Sequence, residues 1–235
     1  MSVRHRSRPG SREAITGIAL LLPGAVLALG FTLFPVLYNV WTGFYEKHSL
    51  RQTASWVGLG NYRFMMEDAR FWSAVGQGVT YALGSTILQI VTGVAAALVL
   101  HAYFPGRDFL RGLALFPYVI PTIISVAVWR WMLNDLYGFV PYVVMSLGLP
   151  LPTAWLTYDY IMWVLILLSV WIFFPFVTVN VLARLQTIPL ELYDAARVDG
   201  AGAVRQFRHV TLPQIRNVLL IVILLRGIFM FTKFD

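Results

Sequence analysis

Between Glu13 and Glu46 the chain carries no charged side chain. A helix gains 1.5 Å per residue, and about 20 apolar residues are enough to cross the roughly 30 Å hydrocarbon core of a bilayer. Similar runs recur. Residues 71–106 contain His101 as their only ionisable group besides tyrosine, residues 112–129 and 160–183 are free of charge, and residues 217–234 are interrupted by Arg226 and Lys233 alone. The pattern predicts an all-α fold, a polytopic membrane helix bundle. Its spans fall at about 15–44, 71–103, 110–132, 160–184 and 214–235, behind a basic tail over residues 1–13. Pro23 and Pro35 sit inside the first span, where they can kink it. Composition agrees. The chain is 58% hydrophobic and 12% charged, against about 45–50% and about 25% in soluble domains, so it cannot cover itself with polar groups in water. It has no cysteine, which excludes disulfides and thiolate metal sites. The first apolar run is too long for a signal peptide and no small-residue cleavage site follows it.

The basic residues set an orientation. Arg4, Arg6, Arg8 and Arg12 of the tail, Arg107 and Arg111 between spans two and three, and Arg184, Arg197, Arg205, Arg208 and Arg216 between spans four and five share one side. Opposite them stand Lys47, Arg51, Arg63, Arg70 and Arg130. Eleven against five places the amino terminus and the 184–216 segment in the cytoplasm. The net charge of +7 is thereby explained by membrane topology, and no nucleic-acid partner is expected.

The loop over residues 186–213 is polar yet built of helix formers. Ile188-Pro189 reads as a helix start, since proline is tolerated in a first turn, and Glu191 and Asp194 follow where carboxylates complement the helix dipole. Leu190, Ala195 and Val198 are spaced as one apolar edge. Asp199-Gly200-Ala201-Gly202 breaks the helix, a second short helix over 204–209 follows, and Leu212-Pro213 opens the fifth span. On these residues alone the segment is either a solvated cap on two spans or a rigid element that docks on a partner.

Asp194-Ala195-Ala196, Gly200 and Val210-Thr211-Leu212-Pro213 resemble the cytoplasmic signature loop of permease subunits of bacterial ATP-binding-cassette importers, with aspartate for the usual glutamate and valine for the usual isoleucine. Trp56-Val57-Gly58-Leu59-Gly60-Asn61-Tyr62, Pro121 with Val128-Trp129-Arg130-Trp131 and Tyr137-Gly138, and Leu182 to Pro189 resemble, in order, further elements of the carbohydrate-uptake branch. That branch includes the maltose, trehalose and glycerol-3-phosphate permeases, and the match is to the first of the two permease subunits. The resemblance implies a six-span core, of which five spans are visible before the chain stops at Asp235, and therefore a truncated carboxyl terminus. It implies a multi-pass protein of the bacterial inner membrane that forms half of a path for a sugar, polyol or glycerol phosphate. Its partners would be a second homologous permease subunit, a dimeric ATP-binding subunit that holds ATP and magnesium, and an extracytoplasmic solute-binding protein. The chain itself would bind no cofactor. Glu191, Asp194, Ala195, Ala196, Asp199, Gly200, Leu212 and Pro213 would then couple it to the ATPase. The small alanines would admit a partner surface, the acids would accept hydrogen bonds, and the glycine would supply the turn.

Arg226 lies about ten residues, roughly 15 Å, into the fifth span, where a charge is expensive and faces a bundle interior or a wet cavity. Phe229, Met230 and Lys233 fall beside it at helical spacing. Two readings stay open: contact with sugar hydroxyls or a phosphate, or an interhelical salt bridge or snorkelling that only supports packing. Asn180 and Gln77 are lesser candidates, because a lone amide in a span usually bonds another helix. Trp56 to Tyr62 reads as an interfacial element, or as a docking site for an external binding protein, and Trp155 and Tyr158 as interfacial anchors. No nucleophile–base set, Walker-type loop or metal-ligand spacing is present, and His5, His48, His101 and His209 are scattered, so the chain is not an enzyme. The alternative class is a proton- or ion-coupled transporter or channel subunit. It is disfavoured because, Asp235 at the very end of the fifth span aside, no Asp or Glu lies in any predicted span.

Overall fold

The computed structural model describes residues 11–47, 54–148 and 160–232. They are almost wholly helical, as the apolar runs require, with one short hairpin that the pattern does not foretell. The chain divides into two compact units, residues 1–73 and 74–235.

In the first unit α1 (Ser11–Thr42) runs unbroken through Pro23 and Pro35, and its large side chains are exposed, Phe31 by 80%. Such a surface is tolerable only where lipid is the solvent. After Gly43 the chain pairs β1 (Tyr45–Lys47) with β2 (Ala54–Trp56), antiparallel, setting Tyr45 opposite Trp56. The helix α2 (Gly60–Glu67) comes next. The Nδ2 of Asn61 donates to the carbonyls of Gly43 and Tyr45 at 2.9 and 3.1 Å, and the Tyr62 hydroxyl donates to that of Val40 at 3.3 Å. Two of these carbonyls, of Val40 and Gly43, lie where α1 ends and its last carbonyls have no partner further along the helix. Trp56 stacks on Phe44 at 5.5 Å and meets Tyr45 edge-on at 5.0 Å. The Trp56–Tyr62 motif therefore closes the end of the first helix.

The second unit is built on α3 (Ala69–His101, whose first residues belong to the first unit), α7 (Ile161–Leu185) and α10 (Leu212–Thr232). Ala97, Val177, Val181, Leu185, Ile188, Ile215 and Val222 form its apolar core. Gly93 allows the backbones of α3 and α7 to approach, since a Cβ there would lie 2.4 Å from that of Val177. Small residues at crossings are how helices associate where lipid offers no hydrophobic drive.

The third apolar run, expected as one span over 110–132, is two helices, α4 (Arg107–Val119) and α5 (Thr122–Met132), bent by 96°. Pro121 is the cause. It has no N–H to donate, and it forces Ile120 into an extended conformation (φ −73°, ψ 131°). A short α6 (Phe139–Ser146), also unforeseen, comes after a turn in which the Asn134 side chain accepts from the N–H groups of Leu136 and Tyr137.

Candidate functional site

The segment between α7 and α10 folds back on its own ends. Arg184, in the last turn of α7, donates through Nε to the Gln214 carbonyl and through Nη2 to Gln214 Oε1, both at 2.9 Å. Its Nη1 reaches Thr187 Oγ1 at 3.1 Å. Ile188 is buried in the core, and Pro189 precedes α8 (Leu190–Val198). Across the loop the hydroxyls of Tyr193 and Thr211 are 3.0 Å apart.

Helix α8 ends in a Schellman turn. The Ala201 N–H donates to the Ala196 carbonyl at 2.8 Å and the Gly200 N–H to that of Arg197 at 3.0 Å. Gly200 holds φ +73°, a left-handed conformation that glycine adopts without penalty. The Gln206 side chain donates to the Ala201 carbonyl at 2.7 Å, tying the turn to the next helix.

Residues 203–213 correct the expectation of a separate helix over 204–209 and a fresh start at Leu212-Pro213. Helix α9 (Ala203–Gln206) passes through a π-turn (Phe207–Thr211) directly into α10. Pro213 has no N–H, and the widened turn, in which the Leu212 N–H reaches the Phe207 carbonyl, lets the helix accommodate it.

The apolar edge expected of α8 is an outward one. Leu190 is 68% and Val198 88% exposed, and Ala195 is also exposed, while Tyr193 and Ala196 turn inward. Glu191 sits in the first turn, and Asp194 pairs with Arg197 one turn on at 3.2 Å, both well exposed. Such a pair contributes little to stability and is free to exchange partners. Asp199, Leu212 and Pro213 are exposed as well.

Arg226 is buried, 4% exposed, and among the described residues it is held neither by a salt bridge nor by snorkelling. Its Nε donates to Gln89 Oε1 at 2.8 Å, and its guanidinium carbon lies 4.3 Å from the centre of the Phe173 ring. The Gln89 amide donates in turn to Ser169 Oγ at 2.9 Å, and the Met230 sulfur lies within 3.4 Å of both Gln89 Nε2 and Ser169 Oγ. One residue from α3, two from α7 and two from α10 thus form a polar knot inside the bundle. Phe229, expected beside Arg226, is 53% exposed, because at i+3 it rotates past the packed stripe. Asn180 donates to the Phe176 carbonyl of its own helix at 2.7 Å. Lys233, Trp155, Tyr158, His5, His48 and the tail over 1–10 lie outside the described residues.

Gln89, Ser169 and Phe173, and the clamp of Arg184 on Gln214, do not stand out in the sequence pattern. A buried amide in an apolar run is a usable signal, and Gln89 offers it. Among the described residues no group of three or more His, Asp or Glu could hold a metal ion.

A bundle of long apolar helices, one of them broken, that carries a clamped amphipathic helix between two spans defines a polytopic membrane subunit. Residues 89–235 match the family described as binding-protein-dependent transport system inner membrane component. The chain belongs to that family, and the match gives no support to a proton- or ion-coupled transporter or channel subunit. It is 34% identical over 225 residues to the trehalose/maltose transport system permease protein MalF of Thermococcus litoralis, covering 95% of this chain and 76% of that protein. It is 35% identical to the inner membrane ABC transporter permease protein YcjO of Escherichia coli (96% and 78% covered). It is 30% identical to the trehalose transport system permease protein SugA of Mycobacterium tuberculosis (97% and 74%). Its fold is similar to a chain in the crystal structure of a bacterial alginate ABC transporter in complex with alginate pentasaccharide-bound periplasmic protein. The TM-score is 0.76 at 19% identity, over 92% of this chain and 72% of that one.

Proposed function

We propose that this chain is the transmembrane permease subunit of an ATP-driven importer of a sugar or a related polyol or glycerol phosphate, and that α8 is its coupling helix. The observation that carries this reading is the double fixation of the loop: Arg184 on Gln214 at its ends and Tyr193 on Thr211 across it. A helix so held moves with α7 and α10 rather than independently of them, so a push on its outer face reaches the spans. Leu190, Ala195 and Val198, exposed on that helix, present the apolar face that a groove on a dimeric ATP-binding subunit would cover. Glu191, Asp194 and Asp199 supply acceptors for a partner arginine or lysine, and Gly200 aims the helix through its left-handed turn. Leu212 and Pro213 mark the root of the loop. ATP and magnesium belong to that partner, and the chain binds no cofactor of its own. A second, homologous permease completes the path, and an extracytoplasmic binding protein delivers the solute. The amino terminus and the loop face the cytoplasm of a bacterial cell. The names of MalF and SugA support a trehalose- or maltose-like solute.

Uptake assays on the assembled transporter test the coupling role. Asp194→Lys and Gly200→Val should abolish ATP-driven uptake while membrane insertion is unchanged, and normal uptake by either variant would refute it. A thermal-shift screen of the matching binding protein against sugars and polyol phosphates identifies the solute class.

In the substrate path, Arg226 and Met230 take part in this reading as members of the knot that positions α10 against α3 and α7. Phe229 stands on the outer side of α10, and Lys233 is a further cation of that span.

A further inference from the structure

A groove of about 250 Å³ opens where α3 ends, α4 begins and α7 finishes. Its wall is aliphatic, formed by Leu100, Leu115, Val179, Leu182 and Ala183. Arg111 lines it too, and its guanidinium is only partly satisfied. Nη2 donates to the Leu100 carbonyl at 2.9 Å and Nη1 pairs with Asp108 at 3.2 Å, but Nε is sealed from solvent without an acceptor. Asp108 is shared, since Arg107 Nε lies 3.6 Å from the same carboxylate. Two arginines against one acid leave net positive charge at the end of a hydrocarbon-lined slot. Val179 is 45% exposed, so the slot opens outward from the helices.

We propose that this groove holds an anionic phospholipid, with its phosphate at Arg111 and an acyl chain along Leu115, Val179 and Leu182. A soluble anion would use the charge and waste the aliphatic wall. A zwitterionic lipid would fill the wall but carries its own cation next to Arg111. An amphiphile with a net negative head matches both parts. Basic pockets between spans on the cytoplasmic side of membrane proteins bind such headgroups, and the groove shares its end of α7 with Arg184 and Gln186.

The test is native mass spectrometry of the whole assembled transporter offered phosphatidylglycerol and phosphatidylcholine in equal amounts. The wild type should retain phosphatidylglycerol preferentially. Arg111→Gln should cut that retention by about fivefold, the factor for one cation at an anionic surface. Val179→Trp fills the slot from an exposed position without touching the charge, and it should displace the lipid likewise while leaving the helical content by circular dichroism unchanged. Equal retention of both lipids, or unchanged retention in both variants, overturns the proposal. So does competition by millimolar inorganic phosphate, and so does a photocrosslinker at position 179 that captures a protein subunit in place of lipid.

Discussion

The Nε of Arg226 on α10 donates to the side-chain oxygen of Gln89 on α3 at 2.8 Å, and the other end of that amide is pinned to Ser169 on α7. This fixes the amide orientation. The arginine can only donate, so the amide oxygen must face it, and the amide nitrogen is left to donate to the serine hydroxyl. A glutamine thus does what a carboxylate would do more strongly, and it does so without adding a second charge to a low-dielectric interior.

Replacing Gln89 by Leu should leave the Arg226 guanidinium buried on the Phe173 ring with no oxygen acceptor. The cost of a charged donor left without its bond is about 1–3 kcal/mol or more. The melting temperature of the purified transporter should fall. The double variant Gln89→Leu/Arg226→Met should be more stable than Gln89→Leu alone, because it removes the orphaned charge as well as its partner.

Gly93→Ala should weaken the contact of α3 with α7. The new Cβ would meet the Val177 Cβ at 2.4 Å and its Cγ1 at 2.7 Å, and overpacking of this kind costs about 1–3 kcal/mol. Val177→Ala should not rescue it, because the nearer clash is with the Cβ itself. Val177→Gly should. Thermal melts of the three variants decide the matter.

Arg184→Ala should loosen the loop without unfolding the bundle. Two hydrogen bonds to Gln214 are lost, and bonds made by a charged group contribute about 1.5–3 kcal/mol each when well formed. The expected outcome is a lower ratio of solute imported to ATP hydrolysed by the assembled complex. Arg184→Lys should fall between, because an ammonium cannot span the two acceptors as a planar fork does.

Gly200→Ala should cost roughly 1–2 kcal/mol, the penalty of a left-handed conformation for a residue with a Cβ. Nothing crowds the site, so the whole effect is conformational. Gly200→Asn should be milder, since asparagine tolerates that region. Uptake rate and melting temperature, measured together, check this.

The helical class and the membrane setting are legible in the chain because an uncharged run is a local property: each apolar run predicts its own helix from its own side chains. The 96° break at Ile120-Pro121 is written there too, in a residue that lacks a donor, but an apolar count does not register a missing N–H. The loop reads as helix and turn, with Gly200 at the left-handed position. Its continuity with α10 does not, because Leu212-Pro213 looks like a start and the π-turn that carries the helix past the proline leaves no mark in residue type.

The partners of Arg226 are not legible in the same way. Spacing along α10 points to Phe229 and Met230, and only Met230 turns inward. The acceptor comes from 137 positions away. The sequence by itself determined that the chain is helical, which runs are long and apolar enough to cross a membrane, the left-handed turn at Gly200 and where a charge must be buried, since these depend on each residue and its near neighbours. Only the tertiary structure decided what satisfies that charge, which face of α8 is left uncovered, and that Arg184 locks the two ends of the loop. Those outcomes depend on which helices pack together, and in lipid that is settled by close fit and by polar contacts between distant residues rather than by hydrophobicity, which nearly every position in the spans shares.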